Sequence, residues 1–188
     1  MKKKKSKYTA KFMTDEGGSS CFYILKESKT LGFKEFDCKE KANSAYKIQV
    51  KLSQLGLSPK VYGKVCKINI ETRDFNGDAY LVSSGWGFIT QKVKVKKRLS
   101  LKKIQKLVDD IKQKAELSFW DCHEYNIGIY RNKYVCIDTG KESFHYNCDA
   151  WGLGSPGPLC PDCNKVTCNC NFSKQLTRRQ LEILNALY

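Results

Sequence analysis

The chain lacks long apolar runs and has little arginine, and each absence argues against a class of protein. No stretch of its 188 residues approaches the roughly 20 consecutive apolar residues that a membrane-spanning helix needs. Residues 1–5 are rich in lysine and contain no apolar segment of the kind that a signal peptide carries. No motif interleaves aromatic and basic side chains in the way that nucleic-acid stacking requires. We therefore expect a soluble, cytoplasmic protein without a standard nucleic-acid module.

Negative charge is also scarce. The chain has 34 Lys and Arg against 19 Asp and Glu, a net charge of +15, with much of the excess in residues 2–11 and 92–106. This balance favours polyanionic partners, namely nucleotide phosphates, an acidic protein or nucleic acid, and the alternative is a solvated lysine-rich surface. A hydrophobic content of 41% is enough for a packed core, and the length fits one domain with at most a small appendage.

The order of the predicted elements is that of an α+β protein. Five strands are predicted from aromatic and β-branched content, at 8–14, 21–26, 31–36, 61–70 and 79–83. An apolar stripe predicts a helix at 40–55, and a second helix of about 17 residues follows Ser100. Residues 128–137 are predicted to form a hairpin that turns at Arg131-Asn132.

One loop and one turn carry residues suited to phosphoryl transfer. Residues 121–127 read Asp-Cys-His-Glu-Tyr-Asn-Ile, and Asp138 follows Asn126 by twelve positions. Phosphoryl transfer needs one carboxylate to orient the attacking hydroxyl and oxygen ligands that hold Mg²⁺ on the phosphates. Asp121 is the expected orienting carboxylate, and Asn126 and Asp138 are the expected Mg²⁺ ligands. Such residues are often plain turn formers, but the preceding helix and the intervening hairpin favour the functional interpretation.

With these residues the chain resembles the protein-kinase-like superfamily over about residues 8–142. It is closest to the aminoglycoside and choline phosphotransferase branch, whose catalytic loop reads H-G-D-x-H-x-x-N and whose metal turn reads I-D-x-G. The resemblance implies a two-lobe fold and ATP-dependent phosphoryl transfer to a hydroxyl of a protein or small molecule. The chain departs from the pattern at Phe119-Trp120, where the family has His-Gly, and at Thr139, where it often has Phe. His123 is expected to brace the loop.

The resemblance also implies a lysine that contacts the nucleotide phosphates. Lys34 is the expected residue, with Gly32 two positions earlier on the same strand face leaving room for the adenine. Lys26 is the rival, and a solvated strand lysine is the structural alternative. The family pairs this lysine with a helix glutamate, for which Glu40 and the neutral Gln49 stay open.

Two further segments are expected to contact the nucleotide. Gly17-Gly18-Ser19-Ser20 could fold over the phosphates and offer backbone N–H groups, although two glycines between strands are more often a plain hairpin. Residues 83–87 are expected to form the hinge whose backbone meets the adenine edge.

Ten cysteines are many for an intracellular chain, and four of them are clustered. The four clustered cysteines are Cys160, Cys163, Cys168 and Cys170. Their spacing is C-x₂-C-x₄-C-x-C, which in an intracellular protein predicts a structural zinc site. His145 and Cys148 are alternative ligands, and free surface thiols are the other interpretation. A metal would hold together the short tail that follows Gly140.

The sequence therefore predicts a small kinase-like protein in four parts. These are a basic tail (1–7), a five-stranded small lobe (8–87), a reduced helical large lobe with the catalytic loop (88–142), and a Cys-rich, zinc-knuckle-like tail with a final helix (143–188). The expected cofactors are ATP and Mg²⁺, with structural Zn²⁺. The alternative function is a catalytically weak kinase-like protein that binds an acidic or nucleic-acid-associated partner. A zinc-finger nucleic-acid binder is disfavoured, because no reading helix adjoins the cysteines.

Overall fold

The computed structural model describes residues 8–11, 16–17, 20–95, 99–122 and 124–144. These residues form an α+β structure with one larger mixed sheet, one small antiparallel sheet and two α-helices. The strands of the larger sheet are β1 (Thr9–Lys11), β2 (Glu16–Gly17), β3 (Ser20–Leu25), β4 (Leu31–Phe36), β5 (Val61–Cys66), β6 (Asn69–Arg73), β7 (Ala79–Ser83) and β8 (Trp86–Gln91). The remaining elements are α1 (Lys39–Gln54), β9 (Lys94–Val95), α2 (Leu101–Ala115), β10 (Ile127–Tyr130) and β11 (Lys133–Cys136).

The larger sheet runs in the order β5-β8-β4-β3-β1-β6-β7, with β2 also paired to β3. All of these pairings are antiparallel except that of β1 with β6, which is parallel. The second sheet is β11-β10-β9. Strand β4 therefore lies inside the sheet, with one edge paired to β3 and the other to β8.

Alternation along β4 assigns its side chains to two different cores. Phe33 packs into a core on one face of the sheet together with Tyr23, Leu25 and Ile89. Phe36, on the opposite face, packs with Phe88 and with the apolar side of α1. Because Lys34 shares the alternation of Phe36, its ammonium lies 5.3 Å from the Phe36 ring. The strand thus places one cation on the helix-covered face.

Both helices are amphipathic, as their sequence patterns predict. The buried residues of α1 are Ala42, Ala45, Gln49 and Leu52, and those of α2 are Ile104, Leu107, Val108, Ile111 and Ala115. Helix α1 ends one residue before the predicted end at residue 55, since Leu55 is the C-cap and is 41% exposed. Helix α2 begins after Ser100 and ends at Glu116, whose φ of 55° is left-handed. The chain then enters the loop that carries Asp121.

A third core, the one with the most buried residues in the described part of the chain, joins α2 to the loop that precedes β10. Its buried members include Phe119, Cys122, Ile127 and Cys136, and Leu52 of α1 reaches it as well. The rings of Phe119 and Phe144 stack with their centroids 5.3 Å apart. This core holds the loop between α2 and β10 in a fixed position, and the loop side chains inherit that position.

The prediction of one strand at 61–70 is wrong. Strand β5 ends at Cys66 and pairs with β8, whereas β6 begins at Asn69 and pairs with β1 and β7 at the other side of the sheet. The physical reason lies at Ile68, which is buried and whose N–H donates to Ser84 Oγ at 2.8 Å, while its C=O accepts from Ser84 N at 2.9 Å. These two bonds replace a strand ladder at the point where the chain crosses the sheet.

The larger sheet exceeds the five strands that the sequence predicts, and one added strand is central. Residues 83–87 comprise the end of β7, the link Ser84-Gly85 and the start of β8, which continues to Gln91, and their contact with the adenine edge stays a prediction. Strands β6 and β7 form a hairpin whose connection contains Asn76-Gly77. Within the described part of the chain, neither helix has the length and apolar character needed to cross a membrane.

Candidate active site

Lys34 is the cation of the candidate site. It is 7% exposed on β4, with Phe22 of β3 and Phe88 of β8 as its register partners. Its Nζ donates to Asp138 Oδ1 and to the Ile137 carbonyl oxygen, each at 3.0 Å. A buried strand position therefore delivers one ammonium to a turn that lies 104 residues further along the chain.

Asp121 and Asn126 are held together by the loop between α2 and β10. The Asn126 amide Nδ2 donates to Asp121 Oδ2 at 2.8 Å and to the Asp121 carbonyl oxygen at 3.0 Å. A single 3-10 turn, Glu124–Asn126, leads into β10 and positions the amide. Asn126 is 9% exposed, so its orientation is set by protein contacts. Because the NH₂ group faces Asp121, the amide oxygen is the atom that this side chain offers as a ligand.

Asp138 is an ionised carboxylate with several donors. Its Oδ1 accepts from Gly140 N at 3.1 Å in addition to Lys34, and its Oδ2 accepts from Ser143 Oγ at 3.0 Å. Burial raises the pKa of this carboxyl, but the Lys34 ammonium and the three hydrogen bonds outweigh burial and hold the pKa below its ordinary value of 3.8. Asp138 therefore carries a negative charge at neutral pH.

A continuous series of hydrogen bonds joins the four residues that the sequence singles out. The Asp121 carboxylate accepts a hydrogen bond from the Asn126 side-chain amide. The main-chain carbonyl oxygen of Asn126 accepts a hydrogen bond from Ile137 N at 2.9 Å. The Ile137 carbonyl oxygen in turn accepts from Lys34, which pairs with Asp138. Below, this group of Lys34, Asp121, Asn126 and Asp138 is called the four-residue cluster. It lies at the end of the β10–β11 hairpin where Ile127 faces Cys136.

Cys136 is a buried thiol in contact with the turn that carries Asp138. Burial raises its pKa well above the ordinary value, and the negative charges of Asp138 and Asp121 raise it further, while Lys34 acts in the opposite direction. Its Sγ donates to the Asp138 carbonyl oxygen at 3.0 Å. The Cys136 thiol therefore stays protonated at neutral pH.

Helix α1 does not supply the carboxylate partner expected for Lys34. Glu40 is exposed at the helix start, and Gln49 is buried and bonded elsewhere. The Gln49 amide donates to Thr90 Oγ1 at 2.6 Å and to the Pro59 carbonyl oxygen at 3.2 Å, and it accepts from Thr139 Oγ1 at 3.1 Å. Gln49 therefore fastens α1 to β8 and to the turn that carries Asp138, and among the described residues Lys34 forms its ion pair with Asp138.

The residues expected around the nucleotide are only partly described. Gly17 and Ser20 are paired across β2 and β3, and Gly18 and Ser19 between them lie outside the described residues. Ser20 precedes Cys21, whose partner on β4 is Glu35, so this turn lies at the Lys34 end of the sheet. Beside Gly32, the Phe22 ring fills the space that a Cβ would need, which corrects the expectation of room for an adenine there.

Sequence reasoning missed several residues that fix the site. Ser143, Thr139 and Thr90 bond to Asp138 or to Gln49, yet each is a common small polar residue with no motif of its own. Lys26, the rival of Lys34, pairs instead with Glu71 of β6 at the sheet surface. The spacing of Ser143 five residues after Asp138, within a one-turn helix (Lys141–Ser143), is the one signal that could have indicated its role.

The predicted zinc ligands lie outside the described residues, as do His123 and the alternative ligands His145 and Cys148. The zinc ligands are Cys160, Cys163, Cys168 and Cys170. Within residues 8–11, 16–17, 20–95, 99–122 and 124–144, no group of three or more His, Cys, Asp or Glu side chains gathers at a metal-binding distance. Neither a scan against protein-family models nor a search of the curated proteins returned a match to this chain.

Proposed function

We propose that the chain is a kinase-like phosphotransferase that moves the γ-phosphoryl group of ATP to a hydroxyl, with Mg²⁺ as cofactor. The observation that carries this proposal is the single hydrogen-bonded series through Lys34, Asp121, Asn126 and Asp138. The kinase-like motif predicts Asp121, Asn126 and Asp138, the strand-then-helix context predicts Lys34, and the four residues come from three separate segments. Phosphoryl transfer relies mainly on positioning and on charge stabilisation, and this set of groups offers both.

The arrangement of elements supports a two-lobe kinase-like fold. Strands β1, β3 and β4 precede α1, and β5 and β8 follow it, which is the strand–helix–strand order of the family's small lobe. Helix α2 then leads through its own core into the catalytic loop and the β10–β11 hairpin. The β6–β7 hairpin is an addition to this plan, paired to the outside of β1.

Each member of the four-residue cluster has a separate role. Asp121 orients the acceptor hydroxyl and accepts its proton as the hydroxyl oxygen attacks the γ-phosphorus. The bond from that phosphorus to the bridging oxygen of ADP then breaks, so that the products are ADP and a phosphomonoester. Lys34 neutralises phosphate charge from a buried position. Lys34 is paired with Asp138 in this structure. A nucleotide phosphate must therefore either bind Lys34 beside Asp138 or displace the Asp138 carboxylate from it.

The donor atoms fit Mg²⁺, which prefers oxygen ligands and keeps part of its water shell. Asn126 offers an amide oxygen, because its NH₂ group is turned to Asp121, and Asp138 offers an ionised carboxylate. These two residues would hold the ion, which when bound supplies positive charge to the phosphate oxygens. Gly140 and Ser143 orient the Asp138 carboxylate through their hydrogen bonds.

The Cys-rich tail is proposed to bind one structural zinc ion through Cys160, Cys163, Cys168 and Cys170, a thiolate set of the kind zinc prefers. Native mass spectrometry of the full chain should then show the mass of one zinc ion. Replacing Cys160 and Cys163 by serine should remove that mass. Retention of zinc by the variant would contradict this ligand set and would favour His145 and Cys148. We also propose a cytoplasmic location, where reduced cysteines are stable.

The enzymatic proposal is tested with ATP labelled on the γ-phosphate and Mg²⁺, with autophosphorylation and ATP hydrolysis as readouts. We expect Asp121→Asn to abolish both while leaving the fold intact, because the amide retains the shape but cannot accept the proton. Asp109→Asn is the matched control, since Asp109 is an exposed carboxylate on α2. Equal activity of the Asp121→Asn variant and the wild type would refute the proposal.

One observation favours a catalytically weak, binding-only form of the same protein. Helix α1 presents Gln49 in place of a glutamate, and the Gln49 amide is already bonded to three partners. In that case nucleotide would raise the melting temperature without turnover, and the basic surface would bind an acidic or nucleic-acid-associated partner. A thermal-shift titration of ATP with and without Mg²⁺, run beside the turnover assay, separates the two functions.

A further inference from the structure

The described part of the chain contains a concave site that is lined by none of the residues of the four-residue cluster. It is an open cavity of about 380 Å³ between the β3–β4 loop, the segment that follows β8, and the turn of the β10–β11 hairpin. Pockets for small molecules are about 300–1,000 Å³ in volume, so this cavity is large enough for one small ligand.

The cavity lies away from the four-residue cluster. Thr30 lines it just before β4 begins, and Lys34 lies four residues further on, about 13 Å along an extended strand. On the hairpin, Arg131 and Asn132 line the cavity at the turn, whereas Asp138 follows the opposite end. A ligand in the cavity therefore occupies a site separate from the proposed phosphotransfer site.

The lining is strongly basic. Four of its nine residues are cationic and none is acidic: Lys29, Lys92, Lys94 and Arg131. Among the residues that the structure describes, none of these four takes part in an ion pair. The acid nearest in sequence, Glu27, accepts a hydrogen bond from Thr9 N at 2.9 Å. Four uncompensated cations around one cavity repel one another, and a bound anion would relieve that repulsion.

The walls of the cavity are fixed to one another by backbone contacts. The Thr30 carbonyl oxygen accepts from both Gln91 Nε2 and Lys92 N, each at 2.8 Å. On the other side, Lys94 faces Ile129 in the β9–β10 pairing. A Cβ at Gly128 would lie 2.5 Å from a Val93 methyl group, so glycine is what allows this close approach. A cavity that is formed before its ligand arrives loses little ordering entropy on binding.

The hairpin turn places an arginine where its backbone is unfavourable. Arg131 and Asn132 have φ values of 49° and 63°, and asparagine suits that region whereas arginine does not. A glycine at this position would form the same turn without the steric cost. The Arg131 side chain therefore lines the cavity although its left-handed backbone conformation lowers the stability of the fold.

We propose that this cavity binds a small anion with several phosphate groups, at a site independent of the four-residue cluster. Ammonium and guanidinium groups are the side chains that bind phosphate oxygens most strongly, and Arg131 can do so with two parallel hydrogen bonds. The wall residues Thr30 and Asn132 add polar groups to the same cavity.

Calorimetric titration of the full chain with inorganic triphosphate, in EDTA and at low salt, tests the proposal. We expect Lys92→Gln/Arg131→Gly to weaken binding by about tenfold or more, since each removed charge deletes a charge-assisted hydrogen bond. The control Lys47→Gln/Lys51→Gln removes the same charge from exposed positions of α1 and should leave the affinity within about twofold. Lys34→Met, which removes the cation of the four-residue cluster, reports any triphosphate that binds there instead of in the cavity.

Three outcomes would overturn the proposal. Equal weakening by both double variants would mean diffuse attraction to a basic surface. Loss of binding only in Lys34→Met would place the anion at the four-residue cluster. Tighter binding of a single-stranded oligonucleotide than of triphosphate, lost in the cavity variant, would mean that the surface serves a nucleic acid. Thermal unfolding of the Arg131→Gly variant guards against a folding artefact, because relief of the turn should not lower the melting temperature.

Discussion

Replacing Lys34 by methionine isolates the ion pair at the centre of the candidate site. Methionine keeps an unbranched apolar stem against Phe36, so the change removes mainly the charge. At a separation of 3.0 Å and an effective dielectric constant of about 20, the attraction between Lys34 and Asp138 is about 5–6 kcal/mol. Part of this attraction offsets the desolvation of two largely buried charges.

The net penalty follows from what remains around Asp138. Breaking a buried pair by removing one partner costs about 3–5 kcal/mol, because the other charge is left in a poorly solvated site. The Asp138 side chain retains 18% exposure and two other donors, Gly140 N and Ser143 Oγ. We therefore expect a loss near the lower limit, about 3 kcal/mol of unfolding free energy at pH 7.

The pH dependence gives this prediction its sign. In the wild type the folded-state pKa of Asp138 lies below 3.8, so its contribution to stability is present above that value and is lost as the pH falls through the folded-state pKa. Without Lys34, only the Gly140 and Ser143 hydrogen bonds oppose the effect of burial, so the carboxyl becomes easier to protonate. The stability difference between wild type and variant should therefore be largest at pH 7 and should shrink to about 1 kcal/mol or less near pH 3.

Urea unfolding at both pH values measures the difference through the midpoint and the slope. Lys106→Met is the control, because Lys106 forms an exposed i,i+4 pair with Asp110, and its loss should cost about 0.3–0.5 kcal/mol. In a double-mutant cycle with Asp138→Asn, the sum of the two single-variant losses of unfolding free energy should exceed the loss in the double variant. A Lys34→Met penalty below about 1 kcal/mol at pH 7, or one of equal size at pH 3, would refute the reasoning.

Three other predictions follow from buried groups. Gln49→Leu should cost about 3 kcal/mol in urea unfolding, because three buried polar partners lose their bonds, and a loss under about 1 kcal/mol would contradict that network. Gly87→Ala should destabilise the fold, since a Cβ there would overlap the Lys34 carbonyl group; unchanged stability would mean that β4 and β8 can separate without cost. Burial raises the pKa of the Cys122 thiol to about 12, so peptide mapping after iodoacetamide treatment at pH 8 should show modification of the exposed Cys21 first; early modification of Cys122 would count against its burial.

Local pattern predicted the elements whose stabilising contacts are close in sequence. Helix α2 and the strand β4 match their predicted positions closely, and the β10–β11 hairpin turns where its dipeptide indicates. The loop spacing also selected Asp121 and Asn126, which bond to each other across five positions. In each case the periodicity of burial or the hydrogen bond depends on residues that are close in sequence, so the sequence alone is sufficient to predict it.

Only the tertiary structure decided which strands are neighbours and what Lys34 contacts. The chain crosses the sheet at Ile68 because Ser84 satisfies its backbone groups, and no local signal marks that exchange. The expected partner of Lys34 lay on α1, yet the fold brings Asp138 to it and assigns Gln49 to other bonds. Long-range register and buried polar pairing depend on the whole packed structure, since each partner is set by residues far away in the chain. The basic cavity is also decided only by the tertiary structure, because three segments remote in sequence form its walls.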